Sequence, residues 1–337
     1  MARGRPSRAT LHARLNAAVA ELRDRSGGLP DPTESAAVWS DIWHQEAHNS
    51  TALEGNTLVL REVEQLLDQG RTVGAKPLRD YLEVKGYADA AQWVYAQALD
   101  PGDWRSRGLV SIQEIRHIHH VAMSPVWAVD PHREAKDAEG PGNFREHDIR
   151  ALSAGMKPPA WPLVPSMLTG WVENVNAQAA GLGGTEPLPE TLARWHNAFE
   201  QVHPFIDGNG RAGRLLVNLL LVRLGYPPII IFKRQRDSYL RAMQRADTGD
   251  CGPLGELMAR AMYDNLNRFI VPNVAGPARN VPLAALADEE FSIAALRQAA
   301  QRGRLDAVQG SDGLWRSSRR AVDAYRATRK RRPRDDS

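Results

Sequence analysis

His203-Pro204-Phe205-Ile206-Asp207-Gly208-Asn209-Gly210-Arg211-Ala212-Gly213-Arg214 runs directly into Leu215-Leu216-Val217-Asn218-Leu219-Leu220-Leu221-Val222-Arg223-Leu224. The second stretch is apolar and lacks Gly and Pro, which predicts a buried helix ending near Gly225. Gly208-Asn209-Gly210 then sits where a loop turns into that helix. The first backbone N–H groups there have no intrahelical partner and lie at the positive end of the helix dipole. Glycines let an anion approach such backbone closely, so the position predicts a phosphate site. Arg211 and Arg214 are three apart, share a helix face and suit a polyphosphate. Asp207 is a hard oxygen donor of the kind Mg²⁺ takes alongside phosphate oxygens. His203 can take a proton near neutral pH. Taken singly, these features have ordinary explanations: a loop histidine, a turn, solvated arginines. Their order, directly before a buried helix, favours the functional reading.

The pattern His203-x-Phe205-x-Asp207-Gly208-Asn209-Gly210-Arg211-x-x-Arg214 resembles the signature of Fic-domain proteins at every defining position. The resemblance implies an all-α, mainly helical fold with a small β-hairpin flap. It also implies transfer of AMP from ATP to a Ser, Thr or Tyr hydroxyl of a target protein. On that pattern His203 is the general base and Phe205 anchors the loop in the core. Asp207 holds Mg²⁺, and the backbone around Gly208, Asn209 and Gly210 forms the anion hole, with the Asn209 side chain also reaching phosphate. Arg211 and Arg214 hold the distal phosphates. Tyr239 falls where the family tends to place a tyrosine lining the nucleotide. Nucleotidyl transfer needs mainly positioning and charge neutralisation, and this residue set supplies both.

Far upstream, Ser50-Thr51-Ala52-Leu53-Glu54-Gly55-Asn56 resembles the inhibitory segment of many Fic proteins. In that segment a Ser or Thr precedes a Glu by four residues, and Gly or Asn follows. The resemblance implies a helix whose Glu54 pairs with Arg214 and denies it to the γ-phosphate, with Ser50 as part of the motif. Because Glu54 precedes the core, this is the N-terminal class of inhibitory helix. The same residues also read as an ordinary helix C-cap.

Composition bounds the rest. The 337 residues suffice for two or three domains, and 42% hydrophobic with 25% charged residues is globular. No apolar run is long enough to span a bilayer, and the basic N-terminus lacks the apolar stretch of a secretory signal. Cys251 is the single cysteine, which rules out an internal disulfide and a Cys-based zinc site and suits a cytoplasmic protein. His117, His119 and His120 lie on a predicted helix at 112–122, and their spacing favours buried or capping roles over zinc.

Four regions are expected: an N-terminal helical region over 1–110 carrying the inhibitory helix, a Fic core over 111–272, a small module over 281–328 and a basic disordered tail over 329–337. Helices are predicted over 10–26, 36–69, 77–99, 163–180 and 189–201, with Trp195 and Phe199 facing the core. Gly142-Asn143-Phe144-Arg145 resembles the start of the flap, and with Ile149-Arg150-Ala151-Leu152 it reads either as a short hairpin closing near Pro158-Pro159 or as a surface loop. After a linker at 274–278, helix, helix, hairpin and helix resemble a winged helix-turn-helix, with Gly303 ending the recognition-like helix and Asp312-Gly313 at the wing tip. Arg297, Arg302, Arg304, Arg316, Arg319 and Arg320 give it positive charge that suits nucleic-acid phosphate.

Two classes of function stay open at this point. One is an autoinhibited AMP-transferase acting on a target protein, with a variant that removes AMP. The other is a DNA-binding regulator in which the Fic core senses a nucleotide. The family often dimerises, so the resemblance leaves a homodimer open.

Overall fold

A computed structural model describes residues 6–32, 36–72, 74–99, 103–150, 156–182, 186–274, 280–309 and 313–330. Helices α1 (Arg8–Ser26), α2 (Ala36–Leu53), α3 (Leu60–Gln69) and α4 (Leu78–Ala96) come first. The Ser7 hydroxyl accepts from the Thr10 N–H to start α1, and Gly27 ends it in the left-handed region. Next come α5 (Ile112–Trp127), α6 (Val164–Ala179), α7 (Leu188–Val202) and α8 (Asn209–Arg223). α5 outruns its expected end at Ala122 and carries Pro125 within it. α9 (Arg236–Asp247) and α10 (Gly252–Asn265) follow, and α10 passes through a π turn, Leu266–Ile270, into α11 (Val271–Val274).

α8 is the axis of the bundle. Every residue from Leu215 to Arg223 is buried, the polar Asn218 and Arg223 included. One hydrophobic cluster runs from Leu11 and Leu15 of α1 through Tyr87 of α4 to Leu219 of α8 and Met258 of α10. No break in packing falls at residue 110, where the sequence suggests a boundary. α2 and α4 lie in the same core as α8. Trp195 and Phe199 are buried there as expected.

The hairpin expected between Gly142 and Leu152 is not formed among the described residues: 142–150 contain no strand, and 151–155 lie outside the description. Arg145 supplies the reason. Its side chain is 1% exposed and donates to the carbonyls of His203, His147 and Pro159. That ties the segment to the core rather than to a neighbouring strand.

The C-terminal module has its own buried cluster, with Leu283, Phe291, Leu296, Leu305 and Val322 at its centre. β1 (Val281–Pro282), α12 (Ile293–Gln301), β2 (Ala307–Gln309), β3 (Trp315–Ser317) and α13 (Arg319–Lys330) build it. The sheet is antiparallel in the order β1-β3-β2. The first expected helix is instead strand β1 and a 3₁₀ turn, Leu283–Ala285. Val281 precedes Pro282, which disfavours helical backbone, and it pairs with Ser317. Gly303 follows α12 with φ of 65°, and Gly313 has φ of 75°. Asp312 lies outside the described residues, as do 275–278 of the expected linker and 331–337 of the expected tail. α13 carries the chain to Lys330, past the Tyr325 at which the sequence suggests a stop.

Candidate active site

The loop between α7 and α8 holds the signature. α7 ends at Val202, and His203 turns the chain with φ of 48°, the only positive φ outside glycine among the described residues. Such backbone is uncommon for a side chain with a Cβ and needs surrounding support. Support comes from both sides. The His203 N–H donates to Phe199 O at 3.2 Å, and the Arg145 side chain donates to His203 O at 2.9 Å. The Arg145 N–H donates to Pro204 O at 2.9 Å.

His203 Nδ1 donates to Glu200 O at 3.3 Å, which leaves Nε2 as the ring's acceptor. Burial, with the nearby Arg145 charge, pushes its pKa down to about 4. The imidazole is therefore neutral at pH 7 and free to take a proton.

Phe205 is buried as expected and stacks on His119 with ring centroids 3.6 Å apart. His119 Nδ1 accepts the Gly142 N–H at 2.8 Å, so Nε2 carries the hydrogen and donates to Asp207 O at 2.9 Å. Burial holds this histidine neutral, with a pKa of about 4. It is a strut between the segment at Gly142 and the loop. His117 packs edge-on to Trp93, and His120 Nδ1 lies 3.1 Å from Pro141 O. The three histidines thus serve packing and loop contacts.

The Asn209 side chain is also spent on the loop. Its Oδ1 accepts from Phe205 N at 2.9 Å and its Nδ2 donates to Phe205 O at 2.8 Å. The side chain thus clasps the loop, and Asn209 also has its backbone N–H to offer an anion. Gly208 has φ of 78°, and an added Cβ there would meet Met123 Sδ at 2.6 Å. Gly is the residue that fits both the turn and the space.

Asp207 Oδ1 accepts from Gly208 N at 2.6 Å and from Arg211 Nη2 at 3.1 Å. Burial alone would raise this carboxyl, but the Arg211 guanidinium and the Gly208 N–H hold it below its ordinary value. Arg211 is 3% exposed, and its Nε and Nη1 make no hydrogen bond, though Nη1 lies 3.4 Å from Glu83 Oε1. Buried guanidinium N–H groups without hydrogen-bonded acceptors are costly, and phosphate oxygens are of the kind that would satisfy them.

Arg214, by contrast, is held by Ser50 of α2 and by Glu54 just past the end of that helix. Its Nε donates to Ser50 Oγ at 2.7 Å, and its Nη2 donates to Ser50 O at 3.0 Å and to Glu54 Oε1 at 2.8 Å. The same Glu54 oxygen would lie 2.6 Å from a Cβ built on Gly210. The carboxylate thus rests against the backbone at the start of α8, where an anion is drawn. Burial would raise Glu54, and Arg214 and Arg211 together hold it below its ordinary value. Leu53 is the last residue of α2, Gly55 has φ of 106°, and Arg236 Nε donates to Leu53 O at 3.0 Å. The helix-end reading and the pairing with Arg214 are therefore both true of this segment.

Tyr239 does not line an open cleft. It is 4% exposed, and its hydroxyl lies 2.7 Å from His196 Nε2. Burial raises its pKa, and the phenol packs behind Arg214 as support. His119 and Arg145 escape a motif reading because their partners are backbone groups far along the chain. The sequence signal for Arg145 was its place in Gly-Asn-Phe-Arg; for His119 there was none beyond helical spacing.

Residues 109–221 match the family model described as Fic/DOC family. Among curated proteins, the chain is 30% identical over 254 residues to a protein adenylyltransferase Fic of Culex quinquefasciatus, covering 74% of this chain and 46% of that protein. It is 27% identical over 256 residues to the protein of the same name from Drosophila melanogaster, covering 75% and 46%. The chain thus spans about half the length of the curated relatives it matches. Among solved structures, Fic-1 from C. elegans is 26% identical with a TM-score of 0.61, covering 77% of this chain and 72% of that one. A Fic domain containing signaling protein from Bacteroides thetaiotaomicron shares the fold at a TM-score of 0.63 and 24% identity, covering 84% of this chain and 98% of that one. Residues 109–221 of this chain thus carry a Fic/DOC family domain.

Proposed function

We propose that this chain transfers AMP from ATP to a Ser, Thr or Tyr hydroxyl of a target protein, and that Glu54 holds the activity down. The observation that carries the reading is the pairing of a neutral, backbone-fixed His203 with an anion cradle occupied by the Glu54 carboxylate on Arg214. His203 Nε2 takes the hydroxyl proton as the oxygen attacks the α-phosphorus. The bond from that phosphorus to the bridging oxygen breaks, and pyrophosphate leaves. The names of the curated relatives support the same chemistry.

The donor set at Asp207 suits Mg²⁺. One carboxylate oxygen is committed to Gly208 and Arg211. Among the described residues no group of three His, Cys, Asp or Glu side chains converges to hold a metal. That favours an ion arriving with phosphate oxygens over an all-protein cage. Bound there, Mg²⁺ would neutralise charge on the phosphates. Arg211 supplies the two unmade donors. Asp207→Ala should raise the Mg²⁺ concentration for half-maximal transfer by about tenfold, and Arg211→Ala should weaken ATP binding by about tenfold or more, as for a lost charge-assisted hydrogen bond. Titrating Mg²⁺ and ATP separately against each variant checks both. Unchanged Mg²⁺ dependence in Asp207→Ala would remove it from this role.

For the C-terminal module, the three-stranded sheet flanked by α12 and α13 favours a recruiting role, either for the target or for DNA. Arg302, Arg304 and Arg320 are exposed. Arg316 lies 3.8 Å from Glu21 of α1, which reduces the free positive charge. Because the module has its own buried cluster, deletion from residue 280 onward should leave a folded core that modifies itself once Glu54 is changed. Affinity for a DNA duplex, if the module carries it, should be lost on deletion and should fall steeply with salt in the full chain. Salt-independent binding, or binding retained by the core, would refute the phosphate-contact reading. The described residues contain no helix long and apolar enough to cross a membrane. A homodimer is part of the proposal by family likeness alone, and a sedimentation profile tests it.

A further inference from the structure

Glu46 lies two helical turns before Glu54, on the same side of α2 as Ser50. It is 3% exposed, yet no part of the chemistry above uses it. Three donors converge on its carboxyl. Tyr87 donates to Oε1 at 2.6 Å, Asn218 Nδ2 donates to Oε1 at 2.8 Å, and the Tyr95 hydroxyl donates to Oε2. Two of these donors stand on α4 and the third on α8. Asn218 is in turn fixed by the segment after α8, donating to Ile229 O at 3.0 Å and accepting from Ile229 N at 2.8 Å.

The contacts form a ladder. Along α2, Glu46, Ser50 and Glu54 meet Asn218, Arg214 and the backbone at Gly210 of α8 in turn. Each rung is one helical turn from the next on both helices. Glu54 itself is a weak fixing point, being 42% exposed in its side chain and lying one residue past the end of α2. Glu46 is the rung with three partners and no solvent. A buried carboxyl with several donors fixes one register, because sliding or rotating the helix leaves all of those groups unpaired. Burial draws its pKa up to about 7 against the pull of the three donors, so the group stays in place through its hydrogen bonds rather than through an ion pair.

We infer that Glu46 is the anchor of the inhibitory helix: it locks α2 against α4 and α8 in the one register that delivers Ser50 and Glu54 to Arg214. The inference rests on the inhibitory reading of Glu54. It makes Glu46 a positioning residue, acting on the nucleotide site through α2 without touching it.

The test is AMP transfer at subsaturating ATP in two backgrounds, the parent protein and Glu54→Gly. In the parent, Glu46→Ala should raise transfer by about tenfold, the equilibrium worth of a lost charge-assisted hydrogen bond. The paired change Tyr87→Phe and Tyr95→Phe removes two donors while keeping the rings, and should raise transfer in the same direction. It serves as the readout where Glu46→Ala does not fold. In the Glu54→Gly background neither change should raise transfer further, since the carboxylate being delivered is gone; the two effects are strongly non-additive. A folded Glu46 or tyrosine variant at the parent's rate would overturn the inference. So would an equal loss of transfer in both backgrounds, which is the mark of a general structural role. If Glu54→Gly is active and the Glu46 and tyrosine variants are not, the anchor alone is wrong. If Glu54→Gly is itself no more active than the parent, the inhibitory reading falls and the anchor with it.

Discussion

In the Glu54→Gly background, His203→Ala should lower AMP transfer by about 10²–10⁴-fold, the usual contribution of a general base. ATP binding should survive, because the cradle is built from the backbone at Gly208–Gly210 and from Arg211 and Arg214, none of which depends on the imidazole. The loss should therefore appear in the rate at saturating ATP, while the ATP affinity stays near that of the parent. A second readout follows from the ring's environment. Its pKa is pushed down to about 4, so the base form persists as pH falls and only gives way near that value. At saturating Mg²⁺, kcat/KM for the target should not halve near pH 6.5, as it would for a histidine at its ordinary pKa of about 6.5. Its acid limb should lie well below that. Transfer by His203→Ala at the rate of its Glu54→Gly parent would remove this residue from the chemistry.

The candidate site was legible because its residues are contiguous. His203, Asp207, Gly208, Gly210, Arg211 and Arg214 lie within twelve residues, and the apolar stretch after them has no choice but to bury. Periodicity alone also located most of the bundle. Glu54 was legible through a short motif, although nothing local says that it meets Arg214; that pairing joins residues 160 apart in the chain.

What stayed hidden is what the loop leans on. His119 bonds the backbone of Asp207 and Gly142, and Arg145 bonds the carbonyl of His203. Backbone acceptors carry no residue identity, so nothing in the sequence names these partners, although Arg145 itself stands in the Gly-Asn-Phe-Arg tetrapeptide. The same holds for Glu46, whose partners come from α4 and α8. Asn209 carries a role that the motif does not announce: its amide closes the loop on Phe205. In the C-terminal module, helical composition in Leu283-Ala284-Ala285-Leu286-Ala287 lost to the Val281-Pro282 step and to pairing with β3.

Glu54→Gly should convert a nearly silent protein into an active one. Arg214 has one guanidinium edge facing the cradle, and Glu54 Oε1 holds its Nη2 at 2.8 Å. The same oxygen rests against Gly210, so on the inhibitory reading the carboxylate would keep the nucleotide phosphates both from the arginine and from the backbone at the start of α8. Removing it should leave Arg214 held by Ser50 and open to phosphate. A charge-assisted hydrogen bond contributes roughly 1.5–3 kcal/mol, or about ten- to hundredfold in available site. The Glu54 side chain is 42% exposed, so solvent screening places the expected gain toward the lower end, about tenfold. The gain should appear as tighter productive ATP binding, with the pH dependence set by His203 unchanged. Arg214→Ala should not reproduce it, because that change frees the site and removes a phosphate ligand together. The double variant Glu54→Gly with Arg214→Ala should therefore stay inactive. Transfer measured at subsaturating ATP, read as AMP mass added to the protein itself, decides the matter: equal rates for the parent and Glu54→Gly would return Ser50–Asn56 to the role of a helix end and leave the Arg214 contact purely structural.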